Sequence, residues 1–300
     1  MKNHLLLFVL MLMPVLAMSQ KNAAPKVLVV TAHPDDETTF PVTIYKITHD
    51  LKGTVDLALL TDGQGGFNGS ELGSQYYGLN LTDSVIGRAH LPAIRKQELM
   101  NAGRIMGIRN YFFFDQVDDY YAKNPKPYIS GQRWDMAYIE KRLDAILVKN
   151  TYDFILTLLP DSTQHGHHKT ATLAALRAVQ RYKGTSKPIV LGGYELDKNV
   201  AYRFEELPGY PETRARKNAP VYQLDRSAPF GHQNLLSYRI VSDWVIAEYK
   251  TQGDLQNNYI HQGELEKFWY YDLNGEVGLE KTRRLFEQLN SSGFSTPGQK

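Results

Sequence analysis

Short, unbroken apolar runs separated by helix-periodic stretches constrain this chain more than any other feature of its sequence. Lys26–Ala32 (KVLVVTA), Val55–Leu60, Tyr111–Phe114, Phe154–Leu159 and Ile189–Leu191 are such runs. Runs of this length and evenness suit strands covered on both faces. Between them, Arg95, Leu99, Ala102 and Met106 recur at helical spacing, with Gly107 as a stop. Met136, Ile139, Leu143 and Ile146 repeat similarly, and Thr170–Tyr182 is rich in Ala and Leu. The alternation predicts an α/β chain: a mainly parallel sheet, helices on both faces, right-handed crossovers. At 300 residues and 42% hydrophobic, the chain can bury one large core.

Two stretches break the alternation and are predicted as long loops: Asp62–Leu91, rich in Gly, Asn and Ser, and Gln116–Gln132, with Pro125 and Pro127. Long loops in a compact domain are usually functional or disordered. In open α/β sheets, ligands bind beyond the carboxyl ends of the strands, where these loops emerge. After Gly193 the pattern weakens. Leu235–Tyr249 reads as a helix, and the remainder carries no clear assignment. The expected organisation is a core over residues 20–195, with 196–300 a C-terminal part of the same domain.

Residues 1–19 differ from the rest. Lys2 precedes an apolar run from Leu5 to Leu16, and Ala17-Met18-Ser19 offers small residues for a cut before Gln20. The run is short for a spanning helix and fits a removable secretory signal, with an uncleaved anchor as the alternative. The signal predicts an exported protein, periplasmic or extracellular, with no stable membrane insertion after cleavage. The chain has no cysteine, which excludes disulfides, a lipoprotein anchor and thiolate metal sites. A net charge of +2 argues against nucleic acid as a partner and against electrostatic membrane binding.

Chemistry concentrates at two places. Ala32-His33-Pro34-Asp35-Asp36-Glu37 directly follows the first strand and places one imidazole beside three carboxylates. Pro34 stiffens the turn through its fixed φ and its restriction of His33. His165-Gly166-His167-His168 follows the fourth strand and holds three of the nine histidines. Alone, the first could be an acidic turn capping a helix, and the second a solvated loop. Together, on loops that leave the same sheet edge, they favour a metal site. Hydrolytic zinc sites commonly use three protein ligands and leave one position for water. The bound ion acidifies that water and polarises a carbonyl, and a spare carboxylate can take the proton.

These residues resemble the PIG-L/LmbE family of zinc-dependent N-deacetylases. The likeness rests on AHPDDE at 32–37 and HGHH at 165–168, supported by Thr61-Asp62-Gly63-Gln64-Gly65-Gly66, by Arg95 and Glu98 running into Met106-Gly107-Ile108, and by Asp115. It spans roughly residues 26–195. The resemblance implies a Rossmann-like three-layer fold with a mainly parallel sheet and a C-terminal elaboration. It implies a Zn²⁺ ion, or Fe²⁺ or another divalent metal, held by His33, Asp36 and His168. It implies Asp35 as general base and His165 as general acid or stabiliser of the tetrahedral intermediate. Arg95 aligns with an arginine that can contact substrate, or it pairs with Glu98 three residues on. Two departures stand out: the family's Asp in the second motif is His167, which either tunes its neighbours or faces solvent, and the Glu of its glycine turn is Gln64.

The implied reaction removes an N-acetyl group from an amino sugar or glycoconjugate, releasing acetate and an amine. The partner is a small-molecule or glycan substrate. Tyr76, Tyr77, Tyr120, Tyr121 and Tyr128 lie in the two long loops and either stack on sugar or anchor the loops. The glycine turn lacks dinucleotide spacing. Two other readings stay open: a non-catalytic sugar-binding protein of the same fold, and a metal hydrolase of another amide or a thiol conjugate.

Overall fold

In the computed structural model, which describes residues 24–119 and 121–293, the apolar runs become strands. Along the chain lie β1 (Lys26–Thr31), α1 (Pro41–Tyr45), β2 (Thr54–Thr61), α2 (Glu71–Tyr77), α3 (Ser84–Met106) and β3 (Ile108–Gln116). There follow α4 (Lys126–Ile129), α5 (Met136–Asn150), β4 (Phe154–Leu158), α6 (Gly166–Arg181), β5 (Ile189–Leu196) and β6 (Tyr222–Asp225). The chain continues with β7 (Pro229–Phe230), β8 (Leu236–Ser237), α7 (Arg239–Ala247), α8 (Gly253–Tyr259), β9 (Leu265–Tyr270) and α9 (Val277–Ser291). The expected secretory segment, residues 1–19, and Tyr120 lie outside the described residues.

A seven-stranded sheet runs β3-β2-β1-β4-β5-β9-β6. Its strands from β3 to β5 are parallel, and β9 pairs antiparallel with both β5 and β6. Successive side chains of a strand point to opposite faces, so β1 serves two cores. Val27 and Val29 pack with Leu99, Ala102 and Met106 of α3 and with Val241 and Val245 of α7. Leu28 and Val30 pack with Ile139 and Leu143 of α5 and with Ala171 and Ala174 of α6. The layers are helix, sheet and helix, the Rossmann-like arrangement the resemblance implies. Among the described residues, no helix is long and apolar enough to cross a membrane.

The expected loop Asp62–Leu91 is largely helical. It holds a 3-10 turn over Gln64–Gly69, then α2, then the first turns of α3. Asp83 caps α3 by accepting hydrogen bonds from the Val85 and Ile86 N–H groups. The second half of α3 is the helix expected from Arg95 to Met106, and two things hide its first turns in the sequence. Pro92 lies within them, and they bury only Gly87 and Leu91, too few to set an apolar period. The second expected loop contains α4. The helix expected over Leu235–Tyr249 is shorter, because Leu236 instead pairs in the β7–β8 hairpin. Residues beyond 195 supply β6 and β9 to the main sheet and Leu285, Phe286 and Leu289 to its core.

Candidate metal centre and its cleft

Strands β1 and β4 are neighbours from which the chain continues outward in opposite directions along the sheet. Such a switch point opens a crevice at the carboxyl edge. The loop from His33 leaves β1 and the loop to His165 leaves β4, so topology alone brings the two motifs together. The first loop turns sharply: Asp35 has φ 123°, a conformation costing on the order of 1–3 kcal/mol for a residue with a Cβ. Its carbonyl accepts hydrogen bonds from the Thr38 N–H (3.0 Å) and hydroxyl (2.6 Å).

His33, Asp36 and His168 converge. His33 Nδ1 lies 2.9 Å from His168 Nε2. Asp36 Oδ1 lies 3.0 Å from His168 Nε2 and 3.5 Å from His33 Nδ1. The other oxygen of Asp36 accepts from the Ala32 and His33 N–H groups at 2.8 and 2.9 Å, which aims Oδ1 at the histidines. His168 Nδ1 faces Gln164 Oε1 at 2.9 Å, an acceptor only, so Nδ1 carries the proton and Nε2 presents its lone pair. The charges are mutually dependent. Burial favours neutral His33, yet Asp118 and Asp36 raise its pKa to about 10. Burial likewise pushes Asp36 up, and His168 and His33 outweigh it and hold the carboxyl well below its usual range. Two imidazole nitrogens and a carboxylate oxygen aimed at one point, each oriented from behind, are a fitting donor set for a divalent cation.

Asp35 lies beside this trio. Burial raises its pKa to about 6 against the opposing pull of Arg95. Arg95, itself buried, donates to Asp35 Oδ2 (3.1 Å) and to the Pro34 and Gly63 carbonyls (2.8 Å each). It does not take up the alternative pairing with Glu98, whose carboxylate accepts instead from Tyr77 and Thr251. His165 Nδ1 accepts from the His167 N–H at 3.0 Å, which places its proton on Nε2. Burial, with His33 and His168, lowers its pKa to about 3. It is a neutral N–H donor.

His167 does not face solvent. It is fully buried, its ring centroid 4.2 Å from that of Tyr128 and 4.9 Å from that of Trp134. Its Nδ1 lies 2.9 Å from His33 Nε2. Asp118 brings a carboxylate to the same spot, 3.6 Å from His33 Nε2 and 3.5 Å from His167 Nδ1. Asp118 also accepts from the Gly65 N–H at 3.1 Å and faces Arg95 at 3.8 Å. Asp115, one of the supporting positions of the resemblance, lies at a left-handed kink in β3 (φ 53°) and pairs with Lys96 at the surface. The acidic pair Asp118-Asp119 just past the strand was the available signal. Glu37 turns inward to a fully buried hydrogen bond from Tyr249, and burial raises its pKa to about 8.

The cleft over these groups has a volume of about 640 Å³. Of the loop tyrosines, Tyr121 lines it; Tyr194, Tyr259, Phe67 and Leu255 do so as well. Tyr128 is instead packed on His167, and Tyr77 donates to Glu98.

Residues 28–179 match the family model described as PIG-L, GlcNAc-PI de-N-acetylase. The probable N-acetyl-alpha-D-glucosaminyl L-malate deacetylase 2 of Bacillus cereus is 27% identical over 167 residues, covering 55% of this chain and 65% of that protein. The match therefore takes in slightly less than two thirds of that relative. Two solved structures share the fold. The A40926 pseudoaglycone deacetylase Dbv21 has 16% identity and a TM-score of 0.54, covering 83% of this chain and 97% of that one. The zinc-inhibited form of the teicoplanin deacetylase Orf2 has 14% identity and a TM-score of 0.51, covering 81% and 97%.

Proposed function

The chain belongs to the PIG-L family, and from that premise we propose that it is a metal-dependent hydrolase that removes the N-acetyl group of an amino sugar or glycoconjugate. One observation carries the proposal: His33, Asp36 and His168 aim three ligand atoms at one point in a cleft that also holds Asp35 and His165. A divalent cation bound there, zinc or iron, would polarise a carbonyl oxygen and lower the pKa of water.

The residues then divide the work. Asp35 takes a proton from the attacking water, whose oxygen bonds to the acetyl carbon. Arg95 fixes the carboxylate's direction from behind. His165 offers its Nε2 proton to the acetyl oxygen as negative charge gathers there. Its low pKa favours that stabilising role over proton donation as an imidazolium. The carbon–nitrogen bond breaks, the proton held by Asp35 passes to nitrogen, and acetate and a free amine leave. Asp118 and His167 hold His33 on its other edge.

The test is amine release from a panel of N-acetylated sugars by metal-loaded protein, beside metal analysis of each variant. Asp35→Asn is expected to keep its metal and lose on the order of 10²–10⁴ in kcat. His33→Ala is expected to lose both. A His33→Ala variant of full activity, or purified protein that takes up no divalent ion, defeats the reading. Export belongs to the same proposal, and a mature N-terminus at Gln20 in secreted material is the expected mass-spectrometric result.

A further inference from the structure

One buried pair beside the cleft has no part in the reaction as written so far. Glu37 is fully buried, and its carboxyl group joins two distant parts of the chain. One oxygen accepts from the hydroxyl of Tyr249, which lies just past α7 and 212 positions away in sequence. The other accepts from the Asp35 N–H at 3.3 Å.

That N–H belongs to the sharp turn in which Asp35 has φ 123° and ψ −18°. A residue with a Cβ returns from such a conformation to negative φ unless its surroundings hold it. Thr38 holds the turn at the Asp35 carbonyl, and Arg95 holds it at the Pro34 carbonyl. Glu37 holds it at the Asp35 N–H, which meets no other acceptor among the described residues. Rotation about the N–Cα bond of Asp35 would swing its Cβ and carboxylate together. The grip on the N–H therefore bears on where that carboxylate points.

Tyr249 is a firm backing for Glu37. Its ring is fully buried, in the core shared by α3 and α7. Its carbonyl accepts from the Gln256 side chain at 3.0 Å. Two residues on, Thr251 donates its N–H (3.0 Å) and its hydroxyl to Glu98 of α3, and its carbonyl accepts from the Ser70 hydroxyl at 2.8 Å. The corner after α7 is thus pinned on one side by Glu98 and Ser70, while its phenol reaches Glu37 on the other.

We propose that Tyr249, acting through Glu37, is a positioning residue for Asp35. The phenol fixes the Glu37 carboxyl group, which holds the Asp35 N–H and with it the direction of the base. The proposal rests on the deacetylase reading for the task of Asp35 and on the geometry of this turn for its content.

The experiment compares three variants with the unaltered protein, all zinc-loaded. Tyr249→Phe removes the hydroxyl and keeps the ring. Glu37→Gln keeps both links, since its amide oxygen can accept from the Asp35 N–H while its amide nitrogen donates to the phenol. Tyr238→Phe is the control: Tyr238 is equally buried, and its hydroxyl donates to Asp50 at 2.8 Å, away from the cleft. The readouts are metal content, melting temperature, hydrogen exchange of the Asp35 amide by NMR, and kcat and KM on the N-acetylated sugar that the unaltered protein turns over fastest. Tyr249→Phe is expected to keep its metal, to lose about 10–100-fold in kcat with KM within about threefold, and to exchange the Asp35 amide about tenfold faster. Glu37→Gln is expected to stay within about threefold of the unaltered protein in kcat and in exchange. Tyr238→Phe is expected to lower the melting temperature and to leave kcat and Asp35 exchange as they are. Unchanged kcat or unchanged Asp35 exchange in Tyr249→Phe overturns the proposal. So does an equal loss in Tyr238→Phe, or a Glu37→Gln protein as slow as Tyr249→Phe. If the unaltered protein turns over no sugar, the hydrolase reading falls, and exchange at Asp35 alone decides whether Tyr249 holds the turn.

Discussion

His33 is reached from both edges of its ring, by Asp36 and His168 on one and by His167 and Asp118 on the other. Carboxylates that orient a ligating imidazole commonly change metal affinity by about 10–100-fold when removed. Asp118→Asn is expected to weaken zinc binding by about tenfold in competition with a chromophoric chelator, while leaving the melting temperature of metal-free protein nearly unchanged. The ligand trio was legible in the sequence because its members lie within two short motifs. Asp118 was not, since which acid past β3 turns inward depends on the kink at Asp115. The burial of His167 was equally hidden, because Trp134 and Tyr128, which enclose it, come from elsewhere in the chain. Away from the site, buried Asp56 accepts from Arg109, Asn110 and Tyr152. Burial pushes its pKa up, but these partners prevail and lower it. Its ionised form therefore stabilises the fold above the ordinary carboxylate pKa of about 4, and that contribution fades as pH falls through the lower folded value. Asp56→Asn should cost about 2 kcal/mol at neutral pH and flatten the acid limb of a stability–pH curve measured by urea denaturation.

Element by element, the parallel strands and the second half of α3 were legible, and the first turns of α3 were not. Before Arg95 that helix buries only Gly87 and Leu91 and holds Pro92, so its first turns show no apolar stripe, however well they pack. Its start rests on Asp83, and Asp83→Ala is expected to cost about 1 kcal/mol, read as a lowered melting temperature. The C-terminal elements were least legible, and part of what they do is polar. Arg226 donates to the Thr38 and Thr39 carbonyls (3.0 Å each). Glu266 accepts from the Val42 and Thr43 N–H groups (3.0 and 2.8 Å) and from the Thr43 hydroxyl (2.6 Å). A buried pair at the edge of β6 and in β9 thus anchors the backbone just past Asp36. No hydrophobic period reports such an anchor. Removing one partner leaves an uncompensated buried charge, so Arg226→Met is expected to destabilise by about 3–5 kcal/mol in chemical denaturation.

At the scale of the whole molecule, alternation of strand and helix fixed the parallel core over residues 26–195, and said nothing of the antiparallel extension. That extension covers β5: Phe268 and Tyr270 of β9 and Leu285, Phe286 and Leu289 of α9 are buried in the same core as β1. A chain cut after residue 195 would expose this surface and an unpaired strand edge. It is expected to be insoluble or to bind hydrophobic dyes, whereas the full chain does not.

His33, on the loop after β1, and His168, in the first turn of α6, are 135 positions apart in sequence, in a chain with no cysteine to bridge them. An ion seated between them would act as a reversible staple, joining halves of the sheet that no covalent cross-link ties together. Ligand at a hundredfold excess over its dissociation constant adds about 2.7 kcal/mol to the folded state. Stripping the metal with a chelator should therefore lower the melting temperature of the entire molecule by several degrees in a single cooperative transition, and protein kept in metal-poor surroundings should yield sooner to proteases.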